Sequence, residues 1–371
     1  MPLYPPFSKA LYYPTIDIRD STWLKTAILF WDSIYTIVPE SINDPYRYND
    51  TSYLASIDYL KPFRVSSDSE SVIGIEEDIM NLLDSPRFKE SLYTNPKDTS
   101  MSGVWASKMS YELRYEIEKY QKHNFGILRP DKKHSVKSDL KKHKEALSDN
   151  DKLYYLYEPF AYIYMMALAQ KISENNSLAM ITDNYFSFET KNNMQLSNYV
   201  PILQGHAKTD VEFEQGLLLD FIVRGLSISP DTDLEAILSF KYHHRDELAR
   251  FKSELKNLTQ GLNNGQTFDA LHEDISNVYV NSFTPAFNNF KAALKDSRIK
   301  WLSDTFLKVY MITVGAAGIS MALPGMTVNQ AIYAGAGLSV IASDVSYNTQ
   351  KRQAIRDNPY SYLLSIQKHL N

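Results

Sequence analysis

The chain has 371 residues, with 39 Lys and Arg against 44 Asp and Glu for a net charge of −5. This length predicts two or three units of about 100 to 200 residues each, and the balanced charge demands no nucleic acid, anionic membrane or polyacidic substrate as partner. The absence of cysteine excludes disulfides, thiolate metal sites, iron–sulfur clusters and cysteine nucleophiles.

The opening MPLYPPFSKALYYP has neither a basic n-region nor the apolar core of a signal peptide, so a cytoplasmic protein is expected. Residues 10 to 39 predict strand, helix, strand: ALYYPTI, a helix from Ser21 to about Trp31 capped by Asp20 or Ser21, then SIYTIVP. The helix body WLKTAILFW is apolar on nearly all sides, which predicts burial between other elements. Up to about Ser71, with Pro45, Asn49 and Pro62, loops and one short helix near Tyr53 to Leu60 are expected.

Helices dominate from there on. Trp105, Met109, Leu113, Ile117 and Tyr120 form a stripe that predicts one amphipathic helix. Residues 131–152 carry seven lysines among alternating acids, the composition of a solvated helix or linker rather than of a phosphate-binding surface, which makes nucleic acid an unfavoured partner. LYYLYEPFAYIYMMALAQKI reads as a buried helix, and TDNYFSFE and QGLLLDFIVRGLSIS as short strands or loops. Thr232 and Glu235 have capping-box spacing. Leu248, Phe251, Leu255, Leu258 and Leu262 repeat at helical spacing up to Gly261 and Gly265. Further helices are expected at 267–283 and 286–308, with a polar helix and PYSYLLSIQKHL at the end of the chain.

Residues 309–343 contain no Asp, Glu, Lys or Arg and break at Pro324-Gly325, predicting a hairpin of two apolar helices. Each arm holds only about 15 apolar residues against the roughly 20 needed to cross a bilayer. However, Gly315, Gly318, Ala322, Ala331, Gly335 and Ala336 have the small-residue spacing that packs helices in lipid. An intramolecular core hairpin is the leading reading; membrane insertion and an oligomer interface are the alternatives.

Two stretches, LYYPTIDIRDSTWLKTAILFWDSIYTIVP at 11–39 and FKYHHRDELARFKSEL at 240–255, resemble signatures of an uncharacterised bacterial family, a domain of unknown function. YIYMMALAQ at 162–170, with the Thr-Asp pair at 182–183, and NPYSYLLSI at 358–366 extend the resemblance. It implies a cytoplasmic bacterial protein, with a phage-defence neighbourhood as a further expectation, and it brings no assigned reaction.

Among candidate sites, His243 and Glu247 lie one helical turn apart and could share a metal or a proton, whereas His244 falls on the apolar seam. Two ligands do not make a metal site, so these are weak catalytic candidates. A nuclease set from Asp231, Glu254 and Lys256 is disfavoured, because a carboxylate-x-lysine triplet points both side chains to one face only on a strand. No phosphate-loop, dinucleotide, serine-elbow or zinc-protease motif occurs. No cofactor is expected. The fold expected is mainly α with a small α/β element at 1–70, a helical body at 71–300, and the hairpin with terminal helices at 301–371. The function expected is a non-catalytic interaction or scaffold component with a protein partner or a second copy. A membrane-active effector and a metal-dependent hydrolase or nuclease are the alternatives.

Overall fold

The computed structural model describes residues 8–85, 101–122, 153–183, 211–224, 226, 228–229, 231–262, 268–296, 355 and 357–370. These residues are mostly helical, with an α/β element at the N-terminal end. Strand β1 (Lys9–Tyr12), helix α1 (Ser21–Ile28) and strand β2 (Ser33–Pro39) form as the sequence predicts. The Asp20 carboxylate accepts the Trp23 N–H at 2.8 Å, satisfying one of the free donors of the first turn of α1. Trp23 to Ile28 are all buried, Lys25 included.

Helix α2 (Asn49–Ser56) is followed by strand β3 (Leu60–Val65), where a loop is expected from Pro62. The conflict resolves because β3 is an edge strand, where a missing N–H breaks no interior ladder. The short α3 (Glu70–Ile73) and α4 (Glu76–Asp84) follow. Strand β4 (Met101–Trp105) leads through a tight turn at Ala106–Lys108 to helix α5 (Tyr111–Lys122). The stripe assigned to one helix therefore starts in a strand and a turn, and only from Leu113 does it belong to the helix. Ser110 starts the helix by accepting the Leu113 N–H at 3.2 Å.

Strand β5 (Leu153–Tyr157) pairs antiparallel with β4, and helix α6 (Glu158–Asn176) starts with Pro159 in its first turn. LYYLY is thus strand, not helix. Strand β6 (Ala179–Ile181) follows, then helix α7 (Val211–Arg224). QGLLLDFIVR is helical because it is apolar on nearly every side and packs among β6, α1 and later helices, so its β-branched residues do not decide its state.

The C-terminal helices are α8 (Leu234–His243), α9 (Arg245–Thr259), α10 (Phe268–Val278), α11 (Thr284–Asp296) and α12 (Ser361–His369). A single π turn, Tyr279–Phe283, joins α10 to α11. Thr232 does not close a capping box: its hydroxyl bonds the Leu370 carbonyl at 3.2 Å, and Asp233 occupies the cap position of α8. The repeat of α9 buries Leu248, Phe251 and Leu255 as expected.

All four strands of the main sheet run parallel, in the order β3-β2-β1-β6. Ala10, Leu11, Ile34, Ile37 and Val38 are fully buried, consistent with a parallel sheet covered on both faces. The fourth strand comes from residues 179–181, well past the residue-70 boundary expected for the α/β element. Gly216 lets α7 lie against β6: a Cβ there would fall 2.4 Å from that of Ala179. Residues 309–343, with Gly315, Gly318, Ala322, Ala331 and Gly335, and the lysine-rich 131–152 lie outside the described residues. Among the described residues no helix is long and apolar enough to cross a membrane.

Candidate functional site

The two edges of the parallel sheet are built differently. At the amino edge, α1 ends with carbonyls that have no partner within the helix and carry the negative end of its dipole. The Ile28 carbonyl of α1 and the Leu29 and Trp31 carbonyls just past its end find donors from distant segments of the chain. Tyr59 OH donates to the Ile28 carbonyl at 2.8 Å and also reaches that of Trp31. Tyr362 OH donates to the Leu29 carbonyl at 2.7 Å. Lys241 Nζ donates to the Trp31 carbonyl, lies 3.1 Å from Tyr59 OH and pairs with Asp32 at 2.8 Å. Burial pulls the Lys241 pKa down against the opposing pull of Asp32, and burial holds the Tyr59 and Tyr362 hydroxyls far above the ordinary tyrosine range. Around these donors Phe30 packs on Phe251 at 6.0 Å and on Tyr362 at 5.8 Å.

This lock unites three of the signature stretches: Ile28 to Asp32 from residues 11–39, Lys241 from residues 240–255 and Tyr362 from NPYSYLLSI at 358–366. The histidine cluster lies beside it. His243 turns back to its own helix, its Nδ1 lying 2.7 Å from the Ser239 carbonyl, while Glu247 bonds His244 Nδ1 at 3.1 Å and the Ser365 hydroxyl at 2.7 Å. The structure therefore pairs Glu247 with His244 rather than with His243. The His244 ring stacks on Phe240 at 4.3 Å and lies 5.2 Å from the His369 ring. A serine nucleophile needs its hydroxyl on a histidine; here Ser365 and His244 both converge on one carboxylate, which fastens α12 to α9. Glu254 accepts from Tyr360 OH at 3.5 Å, again tying α9 to the chain before α12. Among the described residues no three His, Asp or Glu side chains are grouped as a metal would need.

At the carboxyl edge, the strand order reverses direction between β1 and β6, opening a topological switch point where loops diverge and open α/β sheets place their ligands. Tyr12, the last residue of β1, donates to Asp183 just past β6 at 2.7 Å and lies 3.1 Å from the Thr15 hydroxyl. Burial and the Asp183 charge raise its pKa above the ordinary tyrosine range, so it is a fixed donor at neutral pH. Thr15 donates to the Asp17 carbonyl at 2.9 Å, and Asp17 Oδ2 accepts the Arg47 N–H at 2.7 Å. Asp17 Oδ1 is shut from solvent and has no hydrogen-bond partner among the described residues. Trp23, with its ring 5.5 Å from that of Tyr12, is buried with an indole N–H that is equally unpartnered there. Because the Asp20 carboxylate already fills the N-terminus of α1, a pyrophosphate has no seat there.

Sequence reasoning placed the candidate site on the histidines and missed this edge, because Tyr12, Asp17 and Asp183 share no spacing. The signal available was the strand-helix-strand reading itself, whose first βα loop, YPTIDIRD, is polar where the flanking segments are apolar.

The molecule is thus a parallel α/β core of doubly wound type, sheathed by helices from the second half of the chain. Residues 226–371 match the model of a family of unknown function (DUF6236). No curated protein and no solved structure matches the chain.

Proposed function

We propose that the chain is a non-catalytic binding component, which holds a small ligand at the switch point between β1 and β6 and works within a larger assembly. The carrying observation is Asp17 Oδ1, a carboxylate oxygen in the loop that follows β1 at this carboxyl edge, enclosed without a donor among the described residues. An enclosed anionic acceptor left unpaired costs free energy unless a donor completes it. A donor-bearing ligand, an amine or a hydroxyl compound without phosphate, supplies what is missing. Tyr12 supports this reading, since a phenol held protonated and committed to Asp183 orients the site without removing a proton from anything.

Spermidine and adenosine serve as donor probes, with pyrophosphate as the contrast, followed by Trp fluorescence and melting temperature. A saturable response to a donor probe that Asp17→Asn abolishes is the expected result. A response only to pyrophosphate, or one that survives Asp17→Asn, would sink the reading.

A further inference from the structure

The unit that runs from β1 into α1 encloses two unmet polar atoms of opposite sense. Asp17 Oδ1 is an acceptor without a donor, and the Trp23 indole N–H is a donor without an acceptor, among the described residues. Tyr12 links the two. Its ring lies 5.5 Å from the Trp23 ring, its hydroxyl lies 3.1 Å from that of Thr15, and Thr15 donates to the Asp17 carbonyl at 2.9 Å. Other polar groups here are committed: Asp17 Oδ2 to the Arg47 N–H, the Asp20 carboxylate to the Trp23 backbone N–H, and the Tyr12 hydroxyl to Asp183. Thr15 and Arg19, on either side of Asp17, are exposed, so this loop is an outer wall rather than part of the core. A buried indole N–H ordinarily finds an acceptor. An unmet one alone makes no site, since Trp31 has one within the core; Trp23 differs in sharing its loop with an unmet acceptor.

Resting on the binding reading of Asp17, we infer that the ligand is a neutral, flat molecule with an amide-type edge, an N–H donor beside an acceptor atom, as in a carboxamide or an aminopurine. Its N–H donates to Asp17 Oδ1, and its acceptor receives the Trp23 N–H. A polyamine would give Asp17 its donor but turn positive charge toward the indole N–H, and an anion would do the reverse. Either leaves one enclosed group unmet, at a cost in free energy. The Tyr12 and Trp23 rings beside these atoms suit a flat body.

The test titrates nicotinamide and adenosine into the full-length chain by ligand-observed NMR, with 3-acetylpyridine, purine riboside and spermidine as contrasts. 3-Acetylpyridine keeps the carbonyl of nicotinamide but lacks its N–H, purine riboside lacks the amino group of adenosine, and spermidine at neutral pH offers donors alone. Nicotinamide or adenosine is expected to bind saturably, about fivefold or more tighter than its donor-less analogue, and the tighter of the two tells whether a carboxamide or a purine carries the edge. Asp17→Asn is expected to weaken that binding about tenfold or more. Trp23→Phe, which keeps a ring and removes the N–H, is expected to weaken it about fivefold, the effect of one neutral hydrogen bond. Should Trp23→Phe fail to fold, the analogue series decides alone. Spermidine binding that depends on Asp17, with none from nicotinamide or adenosine, would overturn the amide-type edge and leave the binding reading standing. Nicotinamide or adenosine binding that Asp17→Asn leaves unchanged would instead fell the binding reading, and the amide-type edge with it.

Discussion

The amino and carboxyl edges of one sheet differ in which polar groups they tie down: the first fixes backbone carbonyls with side chains from distant segments, the second leaves a carboxylate oxygen unmet. At the amino edge the Ile28, Leu29 and Trp31 carbonyls, at the end of α1 and just past it, are met by Tyr59, Tyr362 and Lys241, and the lysine in turn has Asp32; the Trp31 indole N–H, and the Ser173 hydroxyl and Gln215 amide near the start of β6, are buried without a partner among the described residues. At the carboxyl side Asp17 Oδ1, the Trp23 indole N–H and the Ser107 hydroxyl are enclosed without partners among the same residues, and Lys108 has no counter-ion among them. On the proposed reading, the difference separates a region that holds the halves of the chain together from one that receives a ligand, and an unmet buried acceptor is a feature that asks for an explanation.

If the amino edge is structural, emptying its aromatic centre carries the largest expected effect. Phe251 is fully buried between Phe30, Phe283 and Tyr362, so Phe251→Ala is expected to cost about 3–5 kcal/mol, the usual cost of deleting a core aromatic ring. Urea denaturation measures this. A cost below about 1 kcal/mol would mean that the α9–α12 layer is not part of the cooperative core.

Lys108 sharpens the contrast through pH. Its pKa is about 7 in the folded chain, against about 10.4 for an unperturbed lysine. Between those values the unfolded chain binds more protons, so folding stability rises with pH across the window from 7 to about 10 and is level below it. The gain is about 4 kcal/mol as an order of magnitude, and Lys108→Met should remove the slope. Urea midpoints at pH 7 and 9.5 for both chains check it. Lys241, also depressed but paired with Asp32, should show a weaker slope when replaced by Met, and a loss of about 1–3 kcal/mol at pH 7 from its hydrogen bond to the Trp31 carbonyl and its pairing with Asp32.

The contrast also explains what the sequence could reveal. The 10–39 unit was legible because Asp20 is a strong cap and WLKTAILFW is apolar all round, both local facts. Strand β3 was hidden by Pro62, and β6 by its three-residue length, so the parallel sheet was invisible although half of it was read correctly. The break between α8 and α9 at His244 interrupts a pattern that the leucine repeat had suggested would continue. Neither edge was legible as a site. Tyr12 meets Asp183 across 171 positions and Tyr362 meets Leu29 across 333, and no periodicity within a helix or strand encodes such pairs. Lys108 was concealed in a different way, since it flanks Met109 on what looked like the polar side of a helix that does not exist there.

Tyr12→Phe removes the donor to Asp183 and should cost about 1–2 kcal/mol, because a hydrogen bond to a charged carboxylate is lost in a partly buried place. Asp17→Asn is the smallest and most discriminating change. The asparagine side chain keeps an oxygen for the Arg47 N–H and replaces an unpaired anionic oxygen with a neutral group, so the two effects oppose each other and stability should stay within about 0.5 kcal/mol. If the carboxyl edge were built like the amino edge, removing a carboxylate from its network would instead lower the melting temperature as clearly as Lys241→Met does. An unchanged melting temperature together with loss of the spermidine or adenosine response is the pairing that only a binding edge produces.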